Sequence, residues 1–548
     1  MTKFNLILLF FIIQIVFILS EPKKLEGTVI STSISNANLT NKWTGFEFST
    51  PYIFTKVTWE KSSETSKLLL GVFEGANNPS FMDGIPLNII KNNNLELYEL
   101  DIEVKLSFKY IRYVSSDNST LISSFTIYGY EPSELDININ PFQVTKIPLI
   151  SIHTKKPFEK ASFSTPKNEI KCNIVIINNG KIEVNSKGKV RFRGNSSLMQ
   201  PKKSYQINFD TETQLLDMSS ISRKWGLLAN YLDKTLLRNL VAFKISSLLG
   251  QKYTPQCKSV DLIFNGVYEG TYIICDKVEV GKNRVELGEN DEKNDDGFLM
   301  EIKMRWGKTD NHGFISDKNI PIEIKYPDEP NNEQLNNLKY WFNNIERDAY
   351  NYNITDLIDL ESFSQYFILQ EFTADIDCVW GSYFITKHFN DEKLYFGPGW
   401  DYDLALDNDK RLYPTNEKTK WTFNIGDSAG SLRNFISKLM SIPQVLDSVQ
   451  SKWKEVTMYN FSPDILINYV NEQIELINES QKLNFQKWKI LDKIVQYTAA
   501  ARGSYEAEVS CLKSFLEERF VVFGKRLLES NTSSFKVDVE KHWWGWDN

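Results

Sequence analysis

Histidine and cysteine are scarce in this chain, with 4 His and 5 Cys among 548 residues. No close His/Cys cluster forms, which argues against zinc chemistry. The cysteines (Cys172, Cys257, Cys275, Cys378 and Cys511) are few for an exported protein, and their odd number leaves one unpaired. Stability must therefore come from packed cores. One-sided charge is lacking too: the formal net charge of −7 is mild, so no nucleic-acid partner is expected. Beyond the first twenty residues no long apolar run exists, and the chain ends in the polar EKHWWGWDN. Neither a transmembrane segment after leader removal nor a C-terminal lipid anchor is expected. Any catalysis is left to carboxylates.

What the chain does have begins at its N-terminus. Lys3 precedes an almost unbroken apolar run from Ile7 to Leu19, which Ser20, Glu21 and Pro22 end. This reads as a signal peptide over residues 1–20, too short to span a bilayer comfortably, and implies a secreted, extracellular protein. Seven N-x-S/T sequons (Asn38, Asn118, Asn195, Asn353, Asn460, Asn478, Asn531) are compatible with glycosylation on that route. A chain of 548 residues exceeds one hydrophobic core and suits several domains.

Residues 24–132 alternate apolar and polar side chains in short runs such as KVTWEKS, KLLLGVF and FKYIRYV, separated by turns such as GANNPSFMDG. That pattern predicts an all-β sandwich. Residues 133–148 are polar with spaced prolines and read as a linker. From 149 to about 410 strands and helices alternate, and from about 430 helices dominate, so 149–530 forms an α+β domain with a helical C-terminal part, followed by a tail at 531–548. Ser462-Pro463 supplies a helix cap and first turn, and Leu466, Val470, Ile474 and Ile477 then lie on one face. A second helix carries Val509, Leu512, Leu516 and Phe520. The acidic run GENDEKNDDG reads as a solvated loop.

Four segments interrupt strands with polar side chains. In KVRFRGNSS the strand breaks at Gly194, and a turn with Arg193, Asn195 and Ser196 offers N–H groups and hydroxyls to phosphate oxygens. In PKKSYQINF, period two puts Lys203 on the face of Tyr205, Ile207 and Phe209, where an ammonium needs an anionic partner. It is either a nucleotide-phosphate lysine or a structural ion pair. FTADIDCVWGSYFITK holds Asp375 and Asp377; GPGWDYDLALDN holds Asp401 and Asp403, which share a face if extended. Carboxylates held close repel unless a cation joins them, and oxygen-only ligands favour Mg²⁺ or Mn²⁺. An aspartate some way upstream can take a proton from an attacking hydroxyl. Together these parts make a phosphoryl-transfer kit.

Two resemblances follow from these motifs. LLGVFEGANNPSFMDGIPL, with FKYIRYV leading into LISSFTIYG, resembles discoidin-like modules, jelly-roll sandwiches; the resemblance implies a carbohydrate or cell-surface ligand, with a purely structural appendage as the alternative. The ordered series RFRGNSS, PKKSYQINF, WGLLANYLDKTLLRN, VDLIFNGVYEGTYII, GFLMEI and GPGWDYDLALDN resembles the CotH family over residues 145–530. It implies a protein-kinase-like fold that binds ATP and divalent metal and phosphorylates serine in exported proteins. Carried across, Lys203 (or Lys202) matches the phosphate lysine, Asp377 the catalytic base with Asp375 as the alternative, and Asp401 the metal ligand with Asp403 beside it. Asp233 and Arg238 order the site. Asp276 or Glu301 is the expected lysine partner. The chain departs from the family at Ser382, often asparagine, and at Asp276, commonly glutamate. Those departures leave a second reading open, a catalytically weak or inactive kinase-fold surface adhesin. A metal-dependent hydrolase is a third, which leaves the lysine and glycine turn unexplained.

Overall fold

The computed structural model describes residues 22–31, 43–60, 68–91, 98–116, 122, 124–133, 141–155, 168–194, 196–289, 296–304, 312–351, 353–417, 421–424 and 430–535. The expected signal peptide, Asn38, Asn118, Asn195, the centre of the acidic loop and the terminal WWGWDN lie outside these residues.

The N-terminal part is all β: β1 (Lys23–Lys24), β2 (Thr28–Ser31), β3 (Trp43–Trp59), β4 (Val72–Ala76), β5 (Ile85–Ile89), β6 (Glu99–Asp101), β7 (Ser107–Val114) and β8 (Phe125–Tyr130). The long β3 is shared between two layers. Its first half pairs with β2 and β7, its second with β6 and β8, and register shifts between Glu47 and Tyr52 and between Phe54 and Lys56 bend it across. Alternating side chains such as Phe48, Phe54, Val57, Phe73, Ile111 and Phe125 fill the space between.

Next comes a closed barrel of β9 (Leu149–Thr154), β10 (Ile170–Asn178), β11 (Lys181–Arg193), β12 (Ser204–Gln214), β13 (Ile221–Leu228), β14 (Cys257–Phe264) and β15 (Val267–Cys275). The run Ile174-Val175-Ile176-Ile177 explains how barrel and sandwich join. Ile174 and Ile176 point into the barrel core, while Val175 and Ile177 point outward into a core shared with the sandwich. A strand buried on both faces loses its polar alternation.

The same seam carries charge. Glu74 of β4 is fully buried; its Oε2 accepts from Arg112 Nη2 at 2.7 Å and its Oε1 lies 2.9 Å from His153 Nε2 on β9. A carboxylate only accepts, so Nε2 carries the proton. Gly266, at the β14–β15 turn, has φ +81°, and a Cβ there would lie 2.7 Å from Glu74 Oε2. Only glycine lets that turn approach so closely. Residues 141–148, read as linker, are packed: Val144 and Ile147 are buried, and Thr145 Oγ1 donates to Asp261 at 2.7 Å.

The remainder is an antiparallel sheet of β16 (Phe298–Ile302), β17 (Gly313–Ile315), β18 (Pro321–Tyr326), β19 (Tyr383–Lys387) and β20 (Leu394–Phe396), in the order β17-β18-β16-β19-β20. Around it lie α1 (Arg238–Leu248), α2 (Asn332–Tyr350), α3 (Leu360–Thr373), α4 (Gly430–Met440), α5 (Pro443–Tyr459), α6 (Pro463–Lys487) and α7 (Tyr505–Glu529). Ser462 caps α6 as its sequence predicts, with Leu466, Val470 and Ile477 buried; Val509, Leu512 and Leu516 are buried on α7. Helix α6 ties this half to the barrel, since Ser480 Oγ donates to Asp261 and Lys487 Nζ to the Tyr268 carbonyl. Among the described residues no helix is long and apolar enough to cross a membrane.

Candidate functional site

A cavity of about 440 Å³ opens between the barrel and the five-stranded sheet, a size suited to a nucleotide-like ligand. Its walls differ in charge. On β11, Val190 faces the barrel core, and the period of two sends Arg191 and Arg193 to the cavity. Arg191 Nη2 donates to Gln206 Oε1 at 2.7 Å. The Arg193 guanidinium lies 5.2 Å over the Trp400 ring, and its Nη1 is buried without a hydrogen-bond partner among the described residues. Gly226 makes room for it, because a Cβ there would lie 2.6 Å from Nη1. Lys277, Lys303 and Lys325 complete this basic side.

Glu301 stands among these lysines. Its Oε2 lies 2.7 Å from Lys325 Nζ and 3.7 Å from Lys303 Nζ, and Oε1 accepts the Ser382 N–H at 3.0 Å. Burial alone would lower the Lys325 pKa, but Glu301 and Glu323 overcome it and hold the ammonium charged.

The opposite side is acidic. Helix α3 ends at Ala374 in the left-handed conformation (φ 54°), which turns the chain sharply into Asp375-Ile376-Asp377. Asp375 is buried, its Oδ1 accepting the Asp377 N–H at 3.0 Å. Burial, then the charges of Asp377 and Asp401, push its pKa well up. Asp377 lines the cavity, and Asp375 sits behind it. Asp377 Oδ1 accepts from Arg411 Nη2 at 2.9 Å, and Arg411 Nε also donates to both oxygens of the buried Asp409 at 2.9 and 3.0 Å.

Tyr402 turns into the core, while Trp400, Asp401 and Asp403 line the cavity. The segment is not an extended strand, since Asp401 has φ +74°. The Asn239 side chain holds it by accepting the Tyr402 N–H at 2.9 Å, and Asn408 Nδ2 donates to the Asp403 carbonyl at 2.7 Å. Desolvation, then Asp401 and Asp377, raises the Asp403 pKa well above the usual carboxylate range. Elevation by neighbouring carboxylates marks a local shortage of positive charge. The buried pair Asp233–Arg238 (2.6 Å) anchors the start of α1, and Arg238 Nε donates to the Leu406 carbonyl, so both order the 401–408 loop.

The structure thus gathers Arg193, Glu301, Asp377, Asp401 and Asp403 around one cavity. It does not bring Lys203, Lys202, Asp276 or Asp375 to the surface of that cavity. Lys203 Nζ donates to the Leu198 carbonyl at 2.6 Å. Lys202 points between barrel and α6, donating to Asn484 Oδ1 at 2.8 Å and to the Thr271 carbonyl; burial pulls its pKa down to about 7. Asp276 pairs with Arg284 at 3.0 Å. Asn195 and the Ser196 side chain lie outside the described residues. Sequence reading missed Arg191, Lys277, Lys303, Lys325 and Arg411. Only Arg191 carried a signal, alternating with Arg193.

Asp401 and Asp403 suit Mg²⁺ or Mn²⁺ in donor chemistry, being oxygen-only and short of positive charge. Among the described residues no group of three or more His, Cys, Asp or Glu forms a metal cage. Two carboxylates supplemented by water and phosphate oxygens are the usual Mg²⁺ arrangement.

The chain belongs to the CotH kinase protein family, whose model matches residues 190–522. Among solved structures it is similar to CBM62 from Clostridium thermocellum Xyl5A (24% identity, 20% of this chain and 97% of that one, TM-score 0.18). A truncated AlyQ with CBM32 and alginate lyase domains matches at 10% identity over 38% of this chain and 54% of that one, TM-score 0.16. The Helicobacter pylori proinflammatory kinase CtkA matches at 11% identity over 69% and 96%, TM-score 0.21. No curated protein matches.

Proposed function

We propose that this chain is a secreted, ATP- and divalent-metal-dependent protein kinase that transfers the γ-phosphoryl group to serine of exported or cell-surface proteins. The observation that carries it is one cavity with a basic wall (Arg191, Arg193, Lys277, Lys303, Lys325) facing an acidic one (Asp377, Asp401, Asp403). A polyphosphate needs the first, and its counter-cation needs the second.

The basic side chains hold and orient the phosphates, with the orphaned Arg193 Nη1 receiving the acceptor it lacks. Trp400 stacks beneath that guanidinium and fixes its direction. Asp401 and Asp403 would hold Mg²⁺ or Mn²⁺, which neutralises phosphate charge when bound. Asp377 takes the proton from the acceptor hydroxyl as its oxygen bonds to the γ-phosphorus and the bond to ADP breaks. Arg411 holds Asp377 through the acidic anchor Asp409.

The second reading, a catalytically weak or inactive kinase fold serving as a surface adhesin that binds glycans or cell-surface partners, is favoured by the turning away of Lys202, Lys203 and Asp276. The test is the melting temperature of the purified protein with ATP, with and without Mg²⁺ or Mn²⁺, beside Asp401→Ala. Ligand that binds only the native state raises it. A metal-dependent rise, absent in Asp401→Ala, supports the kinase. No rise in well-folded protein overturns it, and specific glycan binding would then support the adhesin.

A further inference from the structure

Cys257 opens β14 and Cys275 closes β15, and the two are register partners across the antiparallel pair. The Asp276 N–H donates to the Gln256 carbonyl at 2.9 Å, so Gln256 and Asp276 form a hydrogen-bonded pair. Such pairs alternate with non-hydrogen-bonded ones along an antiparallel ladder. Cys257 and Cys275, one step along, are therefore a non-hydrogen-bonded pair, whose Cα atoms approach to about 4.5 Å and whose side chains lie closest. A disulfide requires Cα atoms about 4.4–6.8 Å apart. The side chains are neighbours as well: after burial, the Cys275 thiol beside it helps push the Cys257 pKa well up, and both carry free thiols in the structure.

We propose that Cys257 and Cys275 form a cross-strand disulfide when the chain meets an oxidising environment. The inference rests on the signal-peptide reading for where this happens in the cell. It does not rest on catalysis. The other three lie elsewhere: Cys172 faces Thr154 and Gly188 across its own neighbours, Cys378 is buried in the turn after Asp375, and Cys511 is on α7.

The half-buried Cys257 is the sulfur a reagent reaches first, Cys275 being fully buried. Its thiolate attacks oxidised glutathione, forming a mixed disulfide and releasing one glutathione thiolate. The Cys275 thiolate then attacks the Cys257 sulfur and releases the second glutathione. Two protein thiols are oxidised, one glutathione disulfide is reduced, and the two thiol protons pass to the glutathiones. The bond closes beside the cavity. Cys275 is two residues before Lys277, and its Sγ lies 3.6 Å from the point where a Gly226 Cβ would stand, against the Arg193 guanidinium.

The test uses the full chain in two preparations: secreted from its own leader, and purified reduced then incubated with oxidised glutathione. Each is alkylated while denatured, with and without prior reductant, digested with trypsin and weighed. The expected species links peptide 253–258 to peptide 259–277, is lighter than their sum by two hydrogen atoms, vanishes on reduction, and is absent from Cys257→Ser. Its appearance in either preparation supports the proposal. Alkylation of both cysteines without reductant in both preparations, or linkage of either to Cys172, Cys378 or Cys511, overturns it.

Discussion

Glu74→Gln should loosen the joint between sandwich and barrel by an amount the structure allows one to work out. Burial alone would raise the Glu74 pKa, but His153 and Arg112 overcome it and hold the carboxyl at about 2, against an ordinary 4.5. That difference, at about 1.4 kcal/mol per pH unit, is worth about 3 kcal/mol at neutral pH. Removing one partner of a buried ion pair costs a similar amount, about 3–5 kcal/mol, because the cation left behind is desolvated. The glutamine keeps the shape and loses the charge, leaving Arg112 and His153 facing an amide. For a unit of this size each kcal/mol moves the melting temperature by about 2–4 °C, so a fall of about 6–12 °C at pH 7 is expected. The sign with pH is fixed: a carboxyl depressed in the folded state stabilises above its unfolded pKa, and the contribution is lost as pH falls through about 4.5 towards 2. The gap between wild type and Glu74→Gln should therefore be full at pH 7 and close in that acid window. Thermal melts from pH 7 down to pH 2 measure it. A gap below about 1 kcal/mol at pH 7, or one that does not shrink in acid, would refute a charge-locked joint.

Gly266→Ala attacks the same seam sterically: the left-handed backbone alone costs about 1–2 kcal/mol, and the new methyl meets Glu74 Oε2 at 2.7 Å. Its melt should fall with that of Glu74→Gln, and the pair should be non-additive in a double-mutant cycle. Arg193→Ala should weaken ATP binding about tenfold by calorimetry, the loss of one charge-assisted hydrogen bond. Lys203→Ala should change it by less than about twofold, its ammonium being spent on the Leu198 carbonyl. A reversed order would return the phosphate role to Lys203. Arg411→Gln should lower kcat on the order of 10²-fold with KM for ATP unchanged, since it removes the ion-pair partner that orients Asp377 without touching the basic wall. An equal fall in the Asp377→Asn background would sink the idea that Arg411 acts through that aspartate.

The parts of this fold that could be read in advance are those whose partners lie close in the chain. Period two along 24–132 is a property of each strand alone, and the sandwich follows from it. The α6 start needs only Ser462, Pro463 and the Ile465 N–H. Asp401 and Asp403 reach one cavity because Tyr402 between them turns into the core. Lys203 shows the limit. Alternation back from Tyr205 aims it inward, yet β12 begins only at Ser204, and the preceding 3₁₀ turn offers the Leu198 carbonyl instead. Lys202, the neighbour set aside, is the buried one, and its partner Asn484 lies 282 residues away on α6.

The basic wall was hidden for a related reason. Lys303 and Lys325 belong to no motif of the sequence, and their role appears only when β16 and β18 pair and bring Glu301 and Glu323 between them. Glu74 makes the same point: what satisfies this fully buried charge of the sandwich is, beside Arg112, His153, contributed by the first strand of the barrel. Charged residues completed by another element look like ordinary surface until the element arrives. It follows that the sandwich is a structural partner of the kinase-like domain rather than an appendage on a loose tether. The packed residues 141–148 and the shared core of Val144, Leu149, Val175 and Ile177 make the same point in apolar terms. Removing the sandwich by cutting between 133 and 141 would expose His153 and that apolar face together, so the kinase-like half is best tested for transfer with the sandwich attached.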